Sequence, residues 1–293
     1  VTDETGPLHV IDGRSLQETQ KIAIGRRPRG LALSPDGRTL YVAVSNDNRI
    51  AMVDVPSLRV RGWLDSGPDP ERFALSPDGR TIFVANEDDG QVSALDIARN
   101  RIVRRTPVGP EPEGMAVSPD GRWVICTSEG ASLVHFIDAQ SGELKDSVLV
   151  GARPRSAIFS PDGRRLWVSS ESRASVAVFD TATRKVIHTI DFRKAVPDPA
   201  VQAVGLAMTG DGRRVYVALG RGDRAAEIDA ASFRVLRTFR TGERTWGVAL
   251  APDESRLYAV SGLSGELTAI DLKSGRTLNV NLGGRPWGVA TAR

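Results

Sequence analysis

One cysteine, three histidines and five lysines are all that this 293-residue sequence holds of those residue types. The single thiol, Cys126, excludes an intrachain disulfide and any CxxC or CxxCH site. Its place in the apolar run "WVICT" marks it as a small buried hydrophobe rather than a nucleophile. Lysine is so scarce that basicity rests on 34 arginines spread along the chain, with a net charge of only +3 and no basic tract. That balance argues against nucleic acid as a partner. There is no apolar run of about 18 residues, so no helix spans a membrane, and no segment shows helical periodicity. A signal peptide is also missing, yet the first residues, "VTDETGPLHVID", already belong to repeat-like sequence. The expectation is a mature exported protein, periplasmic or beyond, whose leader has been removed; a trimmed cytoplasmic chain would look the same.

What is abundant is repetition. "RPRGLALSPDGRTLYVAVSND" at Arg27–Asp47 returns as "PERFALSPDGRTIFVANEDD", "PEGMAVSPDGRWVICTSEG" and "PRSAIFSPDGRRLWVSSES". The turn aspartates Asp36, Asp78, Asp120, Asp162, Asp211 and Asp253 are 42 residues apart, except for one step of 49. A second series, Asp12, Asp54, Asp96, Asp138, Asp180, Asp229 and Asp271, ends short apolar strands and slips by seven at the same place. An insertion therefore lies in "DFRKAVPDPAVQA", Asp191–Ala203, and seven strand-end aspartates mean seven repeats.

Each repeat reads as four short strands. "GLALS" and "TLYVAV" are joined by a Ser-Pro-Asp-Gly turn, in which proline supplies a fixed φ and glycine a positive one. "RIAMVD" and "LRVRGWL" follow around a turn opened by the aspartate. Four-stranded units of about 42 residues predict an all-β fold, a seven-bladed β-propeller. Val1–Gly25 supplies only the last three strands of a blade, and the closing "GGRPWGVATAR" is a lone first strand. Blade 1 is thus assigned to 286–293 plus 1–26, which closes the ring and leaves no free edge between the termini. Blades 2 to 7 fall at about 28–68, 70–110, 112–152, 154–196, 203–243 and 245–283, in one domain spanning 1–293.

"LYVA", "IFVA" and "VYVA" after the turn resemble the YVTN-repeat β-propellers. "SGPDPERFALSPDGRTIFVANEDD", "EPEGMAVSPDGRWVICTSE", "HFID", "RPR", "WVSSE", "VALG" and "RPWGV" together resemble the PQQ-dependent catabolism-associated β-propeller proteins over nearly the whole chain. The resemblance implies an exported bacterial protein encoded beside quinoprotein alcohol oxidation. A periplasmic quinoprotein dehydrogenase or its cytochrome is the implied partner. No enzymatic activity is implied.

Residues common to every blade are read as architecture, so function is sought where copies disagree. The loop before strand one and the loop after strand two meet on one face, around the mouth of the central channel. In blade order, the first column reads Trp287, Arg29, Glu71, Glu113, Arg155, Val204 and Trp246; the second reads Asp3, Ser45, Glu87, Glu129, Glu171, Gly220 and Gly262. Blades 3 and 4 thus contribute paired carboxylates, blades 2 and 5 arginines, and blades 6, 7 and 1 a small-residue gap between two indoles. Arg153, Arg244 and Arg285 flank the same loops, and the insertion enters this face as a rim or lid. The expected ligand site is Arg29, Glu71, Glu87, Glu113, Glu129, Arg155, Glu171, Arg244, Trp246, Arg285 and Trp287. A solvated ring of weak salt bridges is the competing reading.

His9, His135 and His188 all fall in strands outside the mouth columns, so neither a Ser–His–Asp set nor a His/Cys metal site is expected. The five glutamates suit a Ca2+ ion, but the arginines among them compete. Two tryptophans give too small an aromatic platform for glycoside hydrolysis by paired carboxylates. Arginine with tryptophan suits a flat anion: indoles stack and guanidiniums pair with carboxylates. PQQ, a planar tricarboxylate, is such a molecule. The expectation is a non-catalytic, monomeric binding or accessory protein. The alternatives are a lactonase- or isomerase-like enzyme using the same mouth and a pure protein-interaction scaffold.

Overall fold

A computed structural model describes residues 1–196 and 198–292. Pro197, inside the insertion, and Arg293, at the end of the span assigned to blade 1, lie outside the described residues. Seven four-stranded antiparallel sheets form a ring, a seven-bladed β-propeller. Blade 2 shows the pattern: strands at Pro28–Leu33, Thr39–Val44, Arg49–Asp54 and Arg59–Asp65 pair in sequence order, the first innermost. A single 3-10 turn, Ser45–Asp47, is the one helical element among the described residues.

The turns behave as their residues require. In the Ser-Pro-Asp-Gly turn of blade 2, the Gly37 amide donates to the Ser34 carbonyl at 2.8 Å with Gly37 at φ +70°. The Asp36 carboxylate accepts from the Ser34 hydroxyl and the Arg38 amide, which holds it below the usual carboxylate range. Strand-end aspartates act alike: Asp138 accepts from the Ser141 amide at 2.8 Å and the Ser141 hydroxyl at 2.9 Å.

The core lies between blades. Each of seven buried clusters joins one blade to the next, including blade 7 to blade 1 through Tyr258, Leu267 and Ile11. The aromatic column Tyr41, Phe83, Trp167, Tyr216 and Tyr258 is buried throughout. Trp167 sits beside Val215 and Val217 of blade 6. At the hub, neighbouring first strands nearly touch. A Cβ on Gly205 would meet the Trp246 carbonyl at 2.6 Å, and one on Gly114 the Arg155 carbonyl at 2.8 Å.

Blade 1 is closed across the termini: Pro286–Gly288 pairs with Thr2–Asp3, followed by Pro7–Ile11 and Glu18–Ala23. The expectation of a first strand over 286–293 needs one correction. Strand pairing ends at Gly288, which lies opposite Thr2.

Candidate functional site

Strand-one residues at the hub carry the charged side chains, and the tight blade-to-blade approach forces them together at the channel mouth. Glu71 is fully buried, and Glu113, Glu129, Glu171, Arg29 and Arg155 are buried with it. Buried charges must be paired. Glu71 Oε1 meets Arg27 Nη1 at 2.6 Å and Oε2 meets Arg29 Nε at 2.8 Å. Arg29 continues to Glu4, and Arg27 to Asp69 at 2.9 Å. This first network spans blades 1 to 3.

The second spans blades 3, 4, 5 and 7 and centres on Arg155. Its guanidinium contacts Glu129, Glu113 at 3.6 Å and Glu171 at 3.5 Å. Arg153 donates to Glu129 at 2.6 Å, Arg244 to Glu171 at 3.1 Å, and Arg72 lies 3.5 Å from Glu113. The mouth is therefore neither a solvated ring of loose pairs nor a set of free arginines. Arg29 and Arg155, expected to offer guanidiniums to a ligand, already spend them on buried carboxylates.

The two networks differ in sign. Arg27 and Arg29 face Glu4, Asp69 and Glu71, while Arg72, Arg153, Arg155 and Arg244 face Glu113, Glu129 and Glu171. The first has one more carboxylate than arginine, and the second one more arginine than carboxylate. Glu87 adds to the acidic side without a cationic partner among the described residues. Burial, then the neighbouring Glu71 charge, pushes its carboxyl up to about 8. On the basic side Arg244 is lowered, by burial and by the crowding of Arg221, Arg155 and Arg153, although Glu171 opposes this.

The two indoles separate as well. Trp287 is 1% exposed, capped by the guanidiniums of Arg29 at 4.7 Å and Arg72 at 4.5 Å, so it offers no stacking face. That corrects the expectation of paired indole walls: the stack is already filled from within the protein. Trp246 is half-buried, with Arg155 and Arg244 at 5.4 Å and 4.2 Å from its ring. Arg285 contributes its backbone: its amide donates to Asp3 at 3.0 Å, while its side chain is exposed and outside both networks. Asp3 is taken up by His9, Thr5 and that amide; burial works against its charge, but these hydrogen bonds hold it far below the usual carboxylate range.

Arg72 was not among the expected site residues. It occupies a column where the other blades have Gly30, Gly114, Ser156, Gly205, Gly247 and Gly288. The rule of looking where copies disagree, applied one column along, finds it. The insertion also proves to be a packed rim. Phe192, Val196, Val201 and Ala203 are buried against blades 5 and 6, and Gln202 Nε2 donates to Glu171 at 2.9 Å.

Among the described residues, the three histidines form no Ser–His–Asp or His/Cys metal set at the mouth. His135 is buried between Ser128 at 2.9 Å and Ser147 at 2.8 Å, and burial pushes it down to about 4. His9 lies between Asp3 and Glu18, and His188 stacks on Phe233 at 4.6 Å. Asp69, Glu71 and Glu87 bring three carboxylate oxygens within 4.8 Å of one another, a spacing a hard cation could use. Arg27 is bound to two of the three, which disfavours it.

Residues 114–236 match the family model of the seven-bladed β-propeller lactonases, and residues 71–155 match that of the cytochrome D1 heme domain. Each covers less than half of the chain. A solved structure of Kuenenia stuttgartiensis hydrazine synthase is similar with a TM-score of 0.74 at 23% identity, over 84% of this chain and 77% of that one. At that identity the likeness shows the fold alone. No curated protein sequence matches.

Proposed function

We propose that this β-propeller is an exported, non-catalytic binding protein of quinoprotein alcohol oxidation, with its ligand site on the basic side of the channel mouth. The observation that carries the site is the half-buried Trp246, flanked by Arg155 and Arg244 within a network holding one arginine in excess. Arg153, 54% exposed, and the exposed Arg221 stand beside it. A flat anion at the open edge of the indole meets the exposed Arg221, which makes no ion pair among the described residues, and the exposed Arg153, and PQQ has that chemistry. The acidic side, with Glu87, Asp88, Asp89 and Glu111 around an open cleft, repels the same ligand and so sets its orientation. The link to quinoproteins rests on the sequence resemblance.

Thermal unfolding with and without excess PQQ tests this reading. At about a hundred times its Kd, a ligand stabilises by roughly 2.7 kcal/mol, several degrees for a chain of this size. The shift should vanish in Trp246→Ala and shrink in Arg153→Ala, in which Glu129 keeps Arg155 as its partner. An unchanged melting temperature in wild type would refute PQQ as ligand.

A second reading, a lactonase-like enzyme, is favoured by the match over residues 114–236. It requires a base at the mouth, and the half-buried Glu87, which makes no ion pair among the described residues, is the candidate. Lactone hydrolysis that is lost in Glu87→Gln would establish it over the binding reading.

A further inference from the structure

One step deeper than the mouth, Arg72 is the arginine whose charge the two networks satisfy least. Arg27, Arg29, Arg153, Arg155 and Arg244 each meet a carboxylate at 3.1 Å or less. Among the described residues Arg72 pairs with Glu113 alone, at 3.5 Å, and its buried Nε makes no hydrogen bond. Burial lowers the guanidinium from its ordinary value; Arg155 adds to this, while Glu113 and Glu71 oppose it. The group nonetheless keeps its charge, as arginine does in proteins.

The Arg72 side chain leaves blade 3 and crosses the hub to the Trp287 ring of blade 1, 4.5 Å from its centre. Along its path the first strands of blades 2, 6, 7 and 1 carry glycine in the same column: Gly30, Gly205, Gly247 and Gly288. These glycines, Arg72 and Trp287 line a cavity of about 60 Å³, and the remaining lining residues are leucine and valine. Arg72 is thus the one charged side chain among the described residues of the lining. Trp287, only 1% exposed, adds a second donor without a partner, its buried Nε1.

We propose that this cavity is a site for a small monovalent inorganic anion, of chloride or nitrate size, held by Arg72 and Trp287. Both polar side chains of the lining can only donate, and buried donors without partners call for an acceptor. The basic network holds one more arginine than carboxylate, and a single negative charge balances it. Water would accept from both donors but leave the charge uncompensated. At about 60 Å³ the cavity admits an ion of a few atoms and not a planar tricarboxylate. The site is therefore separate from the one on Trp246 and does not depend on it.

Melting temperatures in sodium chloride, sodium nitrate and sodium gluconate at equal ionic strength test the proposal, gluconate being too large to enter. Chloride or nitrate should raise the transition by several degrees over gluconate, and the larger rise identifies the better fit. The gain should disappear in Arg72→Gly, which restores the residue most other blades hold there and leaves Glu113 paired with Arg155. It should shrink in Trp287→Phe, which keeps a ring but removes the donor. Crystals of the wild-type protein grown in bromide should show an anomalous peak within hydrogen-bond reach of both Arg72 and Trp287 Nε1, a readout independent of how the variants fold. Equal melting temperatures in all three salts would overturn the proposal, as would a gain that both variants retain. So would bromide bound only beside Arg153 or Arg221, or water alone between Arg72 and Trp287.

Discussion

Glu87 is the residue whose protonation is most exposed to test. Its folded carboxyl is pushed up to about 8 from an ordinary value of 4.5, so the folded protein binds the proton more tightly than the unfolded chain. The associated stability is complete below the unfolded value and is lost as pH rises through about 8. Glu87→Gln should therefore flatten the fall in melting temperature between pH 5 and pH 9; a wild-type slope in the variant would remove Glu87 as the cause. Arg155 makes the opposite case, a buried cation shared by Glu113, Glu129 and Glu171. Arg155→Ala strands those carboxylates and should lose about 3–5 kcal/mol in urea unfolding. The Cys126 thiol, pushed up by burial and then by the Glu113 charge, should resist thiol reagents until the protein is unfolded. Labelling of the native protein would contradict its burial.

At the scale of the blade, stability resides between sheets more than within them. Trp167 is wholly buried in the cluster joining blades 5 and 6, where it packs against Phe233 at 5.8 Å between ring centres. Trp167→Ala should cost about 3–5 kcal/mol, read by denaturant unfolding. A loss below 1 kcal/mol would mean that the interface collapses to fill the space. The insertion between blades 5 and 6 works in the same way: its apolar residues extend that interface, and Gln202 carries the packing to the mouth through Glu171. A segment anchored at both levels behaves as a rim, not as a lid.

For the molecule as a whole, closure is the decisive contact. Thr2 Oγ1 accepts from the Gly288 amide at 2.9 Å and donates to the Arg29 carbonyl at 2.9 Å, joining blades 1 and 2 to the last strand. A chain ending at Gly284 loses the first strand of blade 1 and the cap on Arg29 and Arg72 provided by Trp287. It should lose its single cooperative unfolding transition, seen as a broad calorimetric trace. A sharp transition would show that six blades suffice.

The sequence alone determined the number of blades, the strand order within each and the closure, because these depend on spacing and on turn residues whose backbone preferences are local. It also placed Arg29, Glu71, Glu113, Arg155, Glu129 and Glu171 on one face, since strand alternation and loop position are periodic. What only the tertiary structure decided is how those charges use one another. The pairing of Arg155 with three glutamates from two blades, the cap of Arg29 and Arg72 over Trp287, and the upward push on the Glu87 carboxyl depend on distances across the hub. Those distances are set by seven blades closing at once, and no single repeat carries them.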